Sequence, residues 1–504
     1  MNFIDHIIAA ISPEAAYKRE SYRQAYEALR QYYDAGDYSR VNANWRVMNA
    51  SAENTDRYSR DNVRARARDL ERNSDIMNAV IGAYKRNVVG GGYQIQVKTD
   101  DPDLNKQIEK AWKKWCKKQN CDVTGTQSLN QMIRMAVKRK RVDGGILFVK
   151  RYTSDGYVPF KLQMIEVDEL DLTAMQPKNT GNKIIGGIEY NAYNRPVGYF
   201  IRQYDIDGFS QREPVYVEAK DVIFYFTKNR PSQLREISDM APTIPRIRDI
   251  NEFMMAVSVK ERIEACLAVF IKKALPTSGI NPYGRGNASA VDPRISYEGK
   301  TISPGMIKEM NAGDEVQVVN PSGQGSDATN FAKLQQRLVG AGQGISYEAV
   351  SRDMAESTYS STRQGLIEDE MTYKEEKELL MEILDEIYET FVISAVLSGK
   401  IDIPRFWVDK DRYLDHEWIQ EPKSWIDPQK ESNATKTAMQ TGQKTFKQIA
   451  AENGRDWRSQ IDDMAEVLAY GKEKGVDMGG VVFGQTEDPV PDEDGGDETK
   501  RKKE

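Results

Sequence analysis

Three glycines at alternate positions, Gly340, Gly342 and Gly344, form the pattern in this chain that comes nearest to a chemical motif. Glycine-rich loops cradle phosphate groups on backbone N–H groups, so the pattern raises the possibility of a nucleotide-binding enzyme. Such a loop follows a strand and ends in Lys with Ser or Thr, whereas these glycines follow a predicted helix and no such pair comes after them. We interpret them as hinges that break a helix, with the nucleotide-binding enzyme as an alternative.

The segment that follows the glycines, residues 345–362, is rich in small polar residues and lies between two predicted helices. Hydroxyl side chains compete with helical hydrogen bonding because they bond the local backbone. With the glycines, this composition indicates a movable loop that touches a polar partner. The candidate contact residues in and beside it are Ser346, Arg352, Ser357, Thr358, Tyr359, Ser360, Ser361, Thr362 and Arg363.

Groups that could support catalysis or bind a metal are sparse. The histidines and cysteines of the chain are His6, His416, Cys116, Cys121 and Cys266. This set does not supply a convincing Ser-His-Asp or Cys-His arrangement or a zinc site. The acidic runs 368–370 and 375–378 fall on a predicted long helix, where such runs usually form the solvated face or ion pairs between subunits. We expect no catalytic residue, no metal and no cofactor.

Two basic clusters lie in the first third of the chain. The run 138–141 is Lys-Arg-Lys-Arg at the end of a predicted helix, where positive charge complements the helix dipole. A nucleic-acid contact is the alternative for this run. For Arg64, Arg66 and Arg68 we expect a surface patch or ion pairs between subunits.

The bulk composition limits the class of protein. A chain of 504 residues exceeds what one hydrophobic core usually supports, so two to four domains are expected. The net charge of −6 argues against an overall basic nucleic-acid binder but not against local basic patches. No stretch approaches the ~20 apolar residues of a membrane span, and no signal-peptide pattern is present. With few cysteines, a soluble cytosolic protein is expected.

The first half of the chain predicts helices followed by an antiparallel sheet. Helical periodicity covers 62–89, 101–116 and 129–139, and the alternating residues 93–97 predict a strand. Closely spaced strands without intervening helices then favour an α+β domain. These strands are predicted at 146–149, 162–165, 184–190, 197–201, 215–217 and 222–226.

The second half predicts long helices around a small insert. One helix is predicted over 243–274 and another over 331–339, and the insert between them has candidate strands at 300–307 and 316–319. A third helix runs over 363–397, followed by an irregular stretch and then helices to about residue 474. Two long helices flanking a small insert bury little of their own surface. We therefore expect the chain to form a homo-oligomer.

Nine segments in their order along the chain resemble one family, the lambda-type portal proteins of tailed bacteriophages. Each motif alone is weak, but the ordered set is specific, and the resemblance covers roughly residues 60–460. The segments are 66–74, 87–92, 162–171, 187–197, 217–226, 230–242, 344–352, 359–363 and 425–431.

The resemblance implies a structural protein rather than an enzyme: a ring, usually of twelve subunits, at one vertex of the capsid. Double-stranded DNA would be pumped through its channel by terminase and would later leave through the tail. The implied partners are the terminase large subunit, the major capsid or scaffold protein and the head–tail connector proteins, with no membrane. The implied location is the virion, after assembly in the host cytoplasm. Another capsid-associated connector or a minor head protein is the alternative.

The resemblance also divides the chain into parts. These are the N-terminal segment and wing (1–240), a stem helix (241–274), the clip (275–328), a second stem helix (329–344), the tunnel loop (345–362), a long helix (363–400), a helical crown (401–484) and a disordered tail (485–504). The clip residues expected to face terminase or neighbouring subunits are Arg285, Arg294, Lys300 and Lys308.

The composition of the tunnel loop suits a channel through which DNA slides. Many fixed Lys or Arg side chains would bind phosphates tightly and impede movement. A segment of Ser, Thr, Gly and Tyr with only Arg352 and Arg363 as cations offers weak, sequence-independent contacts instead.

Overall fold

A computed structural model of the protein describes residues 8, 10–30, 49–265, 269–272, 307–310, 325–355, 358–420 and 428–476. The chain divides into two units, residues 1–59 with 230–233 and residues 60–229 with 234–504. The predicted disordered tail (485–504) lies outside the described residues.

The first unit contains helices α1 (Pro13–Arg30) and α2 (Ala52–Asp56). Ser51 caps α2 by accepting a hydrogen bond from the backbone N–H of Asn54. The returning segment 230–233 is fastened to the start of α2, because the Ser232 hydroxyl accepts a hydrogen bond from the Ala52 N–H at 2.9 Å.

The second unit begins with helices that pack around one strand. The predicted helix over 62–89 is in fact two helices and a π-helical turn, because Ser74 caps a new helix by accepting from the Met77 N–H at 3.3 Å. The elements are α3 (Arg60–Asn73), α4 (Asp75–Tyr84), the π-helix Lys85–Val89, β1 (Tyr93–Val97), α5 (Pro102–Trp115), α6 (Lys118–Cys121) and α7 (Leu129–Asp143).

Two antiparallel sheets follow, which confirms the predicted α+β class. The three-stranded sheet has the order β3-β2-β8, and the four-stranded sheet has the order β4-β5-β6-β7. The single strand predicted over 184–190 is a hairpin, because Gly186 and Gly187 turn the chain at positive φ. The strands are β2 (Gly145–Arg151), β3 (Lys161–Ile165), β4 (Lys183–Ile185), β5 (Ile188–Tyr190), β6 (Pro196–Ile201), β7 (Val215–Glu218) and β8 (Val222–Phe226).

The long helix predicted over 243–274 is shorter in the structure. Helix α8 spans Ile244–Ala265, and the chain continues as strand β9 (Val269–Lys272), which pairs in parallel with β10 (Ile307–Met310). Val269, Phe270 and Ile271 favour extended backbone, and pairing with β10 satisfies their main chain. Of the predicted strand at 300–307 the structure describes only Ile307, which begins β10. Residues 300–306 and 316–319 lie outside the described residues.

The described residues after β10 form seven helices and one strand. These elements are α9 (Gly325–Gln343), α10 (Tyr347–Ser351), α11 (Tyr359–Leu397), α12 (Lys410–Leu414), β11 (His416–Gln420), α13 (Pro428–Gln440), α14 (Phe446–Glu452) and α15 (Trp457–Glu473). None of the helices in the described part of the chain combines the length and apolarity needed to cross a membrane.

Residues 401–420 return to the core of the second unit after the long helix α11 ends at Leu397. Strand β11 pairs antiparallel with β1, with Tyr93 opposite Gln420. Ile403 and Phe406 are buried in the same core as the helices of the first half. Residues 401–420 therefore pack into the body of the second unit, because their apolar side chains complete its core.

That core is rich in aromatic rings. Trp115 stacks on Phe160 with ring centroids 5.3 Å apart, and its indole N–H donates to the Phe160 carbonyl at 2.8 Å. Trp112 lies 5.9 Å from Trp418 of β11. Trp418 is thus packed against the core, whereas Trp407 is largely exposed and Trp425 lies outside the described residues.

The basic run 138–141 and the acidic run 375–378 meet in a buried ionic cluster. Lys140 is 1% exposed, and its ammonium lies 2.7 Å from a Glu376 carboxylate oxygen and 3.0 Å from Asp239. Arg141 lies 3.1 Å from Glu376, and the Tyr225 hydroxyl donates to the same carboxylate. Lys140 and Arg141 lie in the last turn of α7, as the prediction of positive charge at a helix end requires. The prediction of a solvated acidic face is wrong for Glu376, because its carboxylate is buried against these two cations.

Arg64 and Arg68 also pair within the chain, which corrects the prediction of a surface patch. Arg64 is buried and lies 2.8 Å from Asp168 and 3.2 Å from Glu236. Arg68 lies 2.7 Å from buried Asp143. Helix α3 is thereby joined to the sheet region, while Arg66 stays exposed.

The acid Glu169, which lies next to Asp168, predicts that the free energy of unfolding depends on pH. Burial, followed by the charges of Glu166 and Asp168, raises the pKa of Glu169 from 4.5 to about 7. Ionised Glu169 therefore costs stability above pH 7, and the cost is relieved as the pH falls toward 4.5. Glu169→Gln is expected to raise the free energy of unfolding at pH 8 by about 1 kcal/mol, discounted for partial exposure, and to leave it unchanged at pH 4.5.

Denaturant unfolding at the two pH values measures this difference. The exposed acid Glu213, changed to Gln, is the control and should show no gain at pH 8. If Glu169→Gln raised the free energy of unfolding equally at both pH values, ionisation of Glu169 would not be the cause of the gain.

Candidate functional site

The candidate site is the segment that joins α9 to α11, where the three glycines begin. The prediction that all three interrupt a helix is wrong for Gly340 and Gly342, because α9 continues to Gln343. Gly344 ends it with a φ of 68°. Inside an α-helix, backbone N–H groups donate to carbonyls one turn earlier, so the N–H groups of Gly340 and Gly342 are not arranged as a phosphate cradle.

Gly340 and Gly342 permit close packing instead. A Cβ atom on Gly340 would lie 2.6 Å from the Ile345 carbonyl oxygen, and one on Gly342 would lie 2.8 Å from Thr243. The chain after Gly344 folds back against α9, and the Ile345 N–H donates to the Gly340 carbonyl at 2.9 Å.

This packing predicts opposite effects for two glycine substitutions. Gly340→Ala is expected to lower the free energy of unfolding by about 1–3 kcal/mol, because the methyl group meets backbone rather than a flexible side chain. Gly365 lies inside α11, where an added Cβ would come no closer than 3.6 Å to any atom. Gly365→Ala is therefore expected to stabilise the protein by up to about 1 kcal/mol. Thermal unfolding of the two variants tests this prediction. If both variants were stabilised or both destabilised, the close packing at Gly340 and the open space at Gly365 would not explain the effects.

The first part of the segment is anchored to the body of the unit. The Tyr84 hydroxyl donates to the Gln343 carbonyl at 2.5 Å, and the Gln343 amide donates to the Asp239 carbonyl at 3.1 Å. The Thr372 hydroxyl donates to the Gly344 carbonyl at 2.6 Å. Three hydrogen bonds to other parts of the unit therefore fix the end of α9.

Ser346 belongs to this anchor. Its N–H and its hydroxyl donate to the two carboxylate oxygens of buried Asp369 at 2.6 and 2.8 Å, and its hydroxyl also caps α10. The prediction that Ser346 is a contact residue is therefore not supported by its geometry, because its polar groups are already used within the chain. Asp369 belongs to the acidic run 368–370, so the predicted solvated face is wrong at that position as well.

The exposed part of the segment begins at Arg352. This residue adopts left-handed backbone (φ 58°) at the end of α10, and its side chain is exposed. Asp353 then turns the chain, with its N–H donating to the Ser351 hydroxyl at 3.1 Å. Ser357 lies outside the described residues.

The predicted loop ends earlier than expected. Helix α11 begins at Tyr359 rather than 363, because Thr358 and Ser361 cap it reciprocally. The side chains of Thr358, Ser360, Ser361 and Arg363 are exposed, and that of Thr362 is partly buried. Tyr359 lies in the first turn of α11. The hydroxyl-rich composition thus serves partly as a helix cap and partly as an exposed polar surface.

A cation that the sequence did not indicate lies close to this surface. Arg86 is exposed on the π-helical turn after α4. Partial burial and then the positive charge of Arg352 lower the pKa of Arg86, so the two guanidinium groups influence each other. The Gly-rich sequence after Arg86 predicted only a helix end, and no sequence signal identified a π-helix, which often occurs at functional sites.

The predicted clip residues are only partly described. Lys308 lies in strand β10. Arg285, Arg294 and Lys300 lie outside the described residues. In the part of the chain that the structure does describe, no cluster of three or more His, Cys, Asp or Glu is placed to hold a metal ion.

Helices α8 and α9 lie side by side and present apolar side chains to solvent. Phe253 contacts Phe331 with ring centroids 4.6 Å apart, and Arg246 donates to the side-chain amide oxygen of Gln335 at 2.6 Å. Several large apolar side chains on the two helices are nevertheless exposed in the single chain: Met254, Met255, Val259, Leu334 and Leu338. The first turns of α11 expose Leu366, Ile367 and Met371 in the same way. Contiguous exposed apolar surface is typical of interaction sites.

Comparison with known proteins identifies the family. The family model described as "Phage portal protein, lambda family" matches residues 38–377. The chain belongs to this family of structural virion proteins, as the ordered motifs predicted.

The curated relatives agree and are similar over most of their length. The "Probable portal protein" of Halomonas phage phiHAP-1 is 25% identical over 453 residues, which cover 87% of this chain and 86% of the relative. "Portal protein B" of Escherichia phage lambda is 20% identical over 476 residues, covering 86% and 88%.

Solved structures show a weaker likeness. A chain from the virion of a native gene transfer agent particle covers 76% of this chain and 92% of that chain, with 11% identity and a TM-score of 0.37. At that TM-score the likeness adds nothing to the family assignment.

Proposed function

We propose that this chain assembles with copies of itself into a ring at one vertex of a phage capsid, and that double-stranded DNA passes through the central channel of the ring. The observation that carries the proposal is the exposed apolar surface on α8, α9 and the start of α11. In a single chain this surface costs free energy, and neighbouring copies would remove it from water. A ring requires two different surfaces of this kind on each subunit, since its contacts are heterologous.

In this assignment α8 and α9 form the stem, and β9 and β10 belong to the clip. Residues before about 240, with 401–420 and much of α11, form the wing, and α13 to α15 form the crown. Packaging by terminase, ejection through the tail and attachment of head–tail connector proteins are part of this proposal, which the membership of the portal family supports. A dodecamer is the expected number of subunits.

We assign the exposed residues from Arg352 to Arg363 to the channel wall. Hydroxyl groups there offer neutral, short-lived contacts to phosphates, and few cations limit how tightly the DNA is held. The anchors at Gln343, Gly344 and Ser346 fix one end of this surface. DNA could then slide past without displacing the stem.

A charge reversal at Arg352 and Arg363 tests this assignment. Arg352→Glu combined with Arg363→Glu is expected to reduce DNA-filled particles roughly tenfold in a packaging assay, because each subunit would then repel the phosphate backbone. Exposed Lys118, changed to Glu, is the control and should leave packaging unchanged. Normal packaging and DNA retention in the double variant would contradict the channel assignment.

The two alternatives predict different observations. A nucleotide-binding enzyme would bind ATP and lose binding on replacement of Gly342 and Gly344. Another connector or minor head protein would not form rings with a central hole. Negative-stain microscopy of the purified protein separates this last case from a portal ring.

A further inference from the structure

A cleft of about 1010 Å³ lies between α5, β1 and α15, away from the segment assigned to the channel. Apolar side chains line part of it: Ile95, Trp112, Ile419, Met464 and Val467. Its size is that of a site for an extended peptide or a large ligand rather than a packing defect.

Helix α15 forms one wall of the cleft and is lightly attached to the body. Lys106 lies 3.3 Å from Asp462, and the Gln96 amide donates to Asp456 at the start of the helix. Val467 is 48% exposed although it lines the cleft. The apolar side of α15 therefore faces a space that a further apolar segment could fill.

One rim of the cleft is basic. Lys106, Lys110 and Lys113 line it from α5, at spacings of four and three residues that place them on one side of the helix. All three are exposed. Arg455 adds a fourth cation, and the acids of the lining are Glu109, Asp456 and Asp463. The cations outnumber the acids, so the border of the apolar floor has a small excess of positive charge suited to an acidic segment.

The chain itself supplies a segment with this pattern directly after α15. Val481, Val482 and Phe483 form a short apolar run. Seven acidic residues follow between 487 and 498 without an intervening Lys or Arg. The order, apolar first and acidic second, matches the floor and the rim of the cleft.

The connection is long enough for the same chain to reach its own cleft. Val481 comes five positions after Val476, and this stretch spans up to ~17 Å when extended. Val467 lies about 13 Å back along the helix direction from Val476, at ~1.5 Å per residue. A turn after α15 would therefore bring residues 481–483 alongside Val467.

We propose that residues 481–498 dock in the cleft of their own subunit, with Val481, Val482 and Phe483 on the apolar floor and the carboxylates that follow on Lys106, Lys110 and Lys113. The docked segment covers the exposed side of α15 and holds this helix against α5. Because part of the attraction is between exposed charges, docking weakens as the salt concentration rises.

Photocrosslinking in the full-length protein tests the location of the segment. Phe483 is replaced by p-benzoylphenylalanine, and crosslinked peptides are identified by mass spectrometry after illumination. The expected product joins residue 483 to α5 or α15 and migrates as a monomer on a denaturing gel. A product of dimer size would show that the segment contacts a second copy. Crosslinks to other elements, or no crosslinks, would show that the segment does not bind the cleft. Each of these results overturns the proposal.

Charge reversal on the rim provides an independent readout. In Lys110→Glu combined with Lys113→Glu, limited proteolysis within 477–498 should be roughly tenfold faster than in the wild type, because release of the segment exposes it. Lys118 is exposed but does not line the cleft, so Lys118→Glu is the matched control and should be cleaved at the wild-type rate. Equal cleavage rates in all three proteins would overturn the proposal.

Discussion

Replacing Glu376 with alanine is expected to lower the free energy of unfolding by about 3–5 kcal/mol, the largest stability effect foreseen for this chain. The carboxylate holds Lys140 at 2.7 Å and Arg141 at 3.1 Å in a site with little access to water. Without it, Asp239 alone would have to balance two buried cations. Denaturant unfolding measures the loss.

The same helix offers a matched control. Glu378 lies two residues further along α11, is exposed and makes only a 3.9 Å contact with Lys374. Glu378→Ala is expected to change stability by no more than about 0.5 kcal/mol. If Glu376→Ala and Glu378→Ala lowered the free energy of unfolding by similar amounts, the buried ionic cluster would not be a major source of stability.

The ionic cluster also sets a pH dependence. Burial by itself raises the pKa of Glu376, but the charges of Lys140 and Arg141 and the hydrogen bonds to the carboxylate outweigh it, so its pKa is lowered from 4.5. Its contribution to stability is therefore complete above pH 4.5 and is lost as the pH falls through the lower, folded-state pKa. The difference in stability between the wild type and Glu376→Ala should shrink in that acidic range.

The second large effect concerns assembly. Met255→Glu combined with Leu334→Glu is expected to abolish ring formation, because each subunit contact would then bury unpaired carboxylates at a cost of several kcal/mol. Met255 is 69% exposed and Leu334 is 52% exposed in the single chain, so the monomer itself should fold normally. Analytical ultracentrifugation gives the assembly state and circular dichroism gives the helical content.

A conservative change separates loss of the contact from general damage. Leu334→Met keeps an apolar side chain of similar volume and should retain rings. Rings formed by the double glutamate variant would show that this apolar surface is not the subunit contact.

Much of the second unit could be predicted from periodicity. The short apolar runs 146–149 and 222–226 identified adjacent strands of the antiparallel sheet, and the apolar spacing in 101–116 identified α5 nearly to the residue. Strand β2 is buried along almost its whole length, which a continuous apolar run indicates, whereas α5 buries one face, which helical spacing indicates. The ordered motifs identified the family for the same reason that the fold is recognisable, since they follow the elements along the chain.

What sequence reasoning missed depends on contacts between distant residues. The sequence indicated Lys140 as charge at a helix end and Glu376 as part of a solvated face or an ion pair between subunits. Only the packing of α7 against α11 brings the two side chains together. Strand β11 was missed because its partner β1 lies more than 300 residues away. Val269 to Lys272 favoured a continued helix by position, yet a partner strand decided otherwise.

The candidate site shows the same division. The composition of 340–363 correctly indicated a helix break and a polar surface between two helices. It did not reveal that Gly340 serves close packing, that Ser346 is bound to Asp369, or that Thr358 starts α11. Glycine and serine each serve several structural purposes, and only the neighbouring atoms distinguish them.

Electron microscopy of the purified full-length protein tests the central claim most directly. A portal subunit should appear as rings of uniform size with an open centre, and class averages should show one rotational symmetry. Only monomers, tubes or closed shells under conditions in which the protein is folded would contradict the assignment of this chain as the channel-forming ring of the capsid vertex.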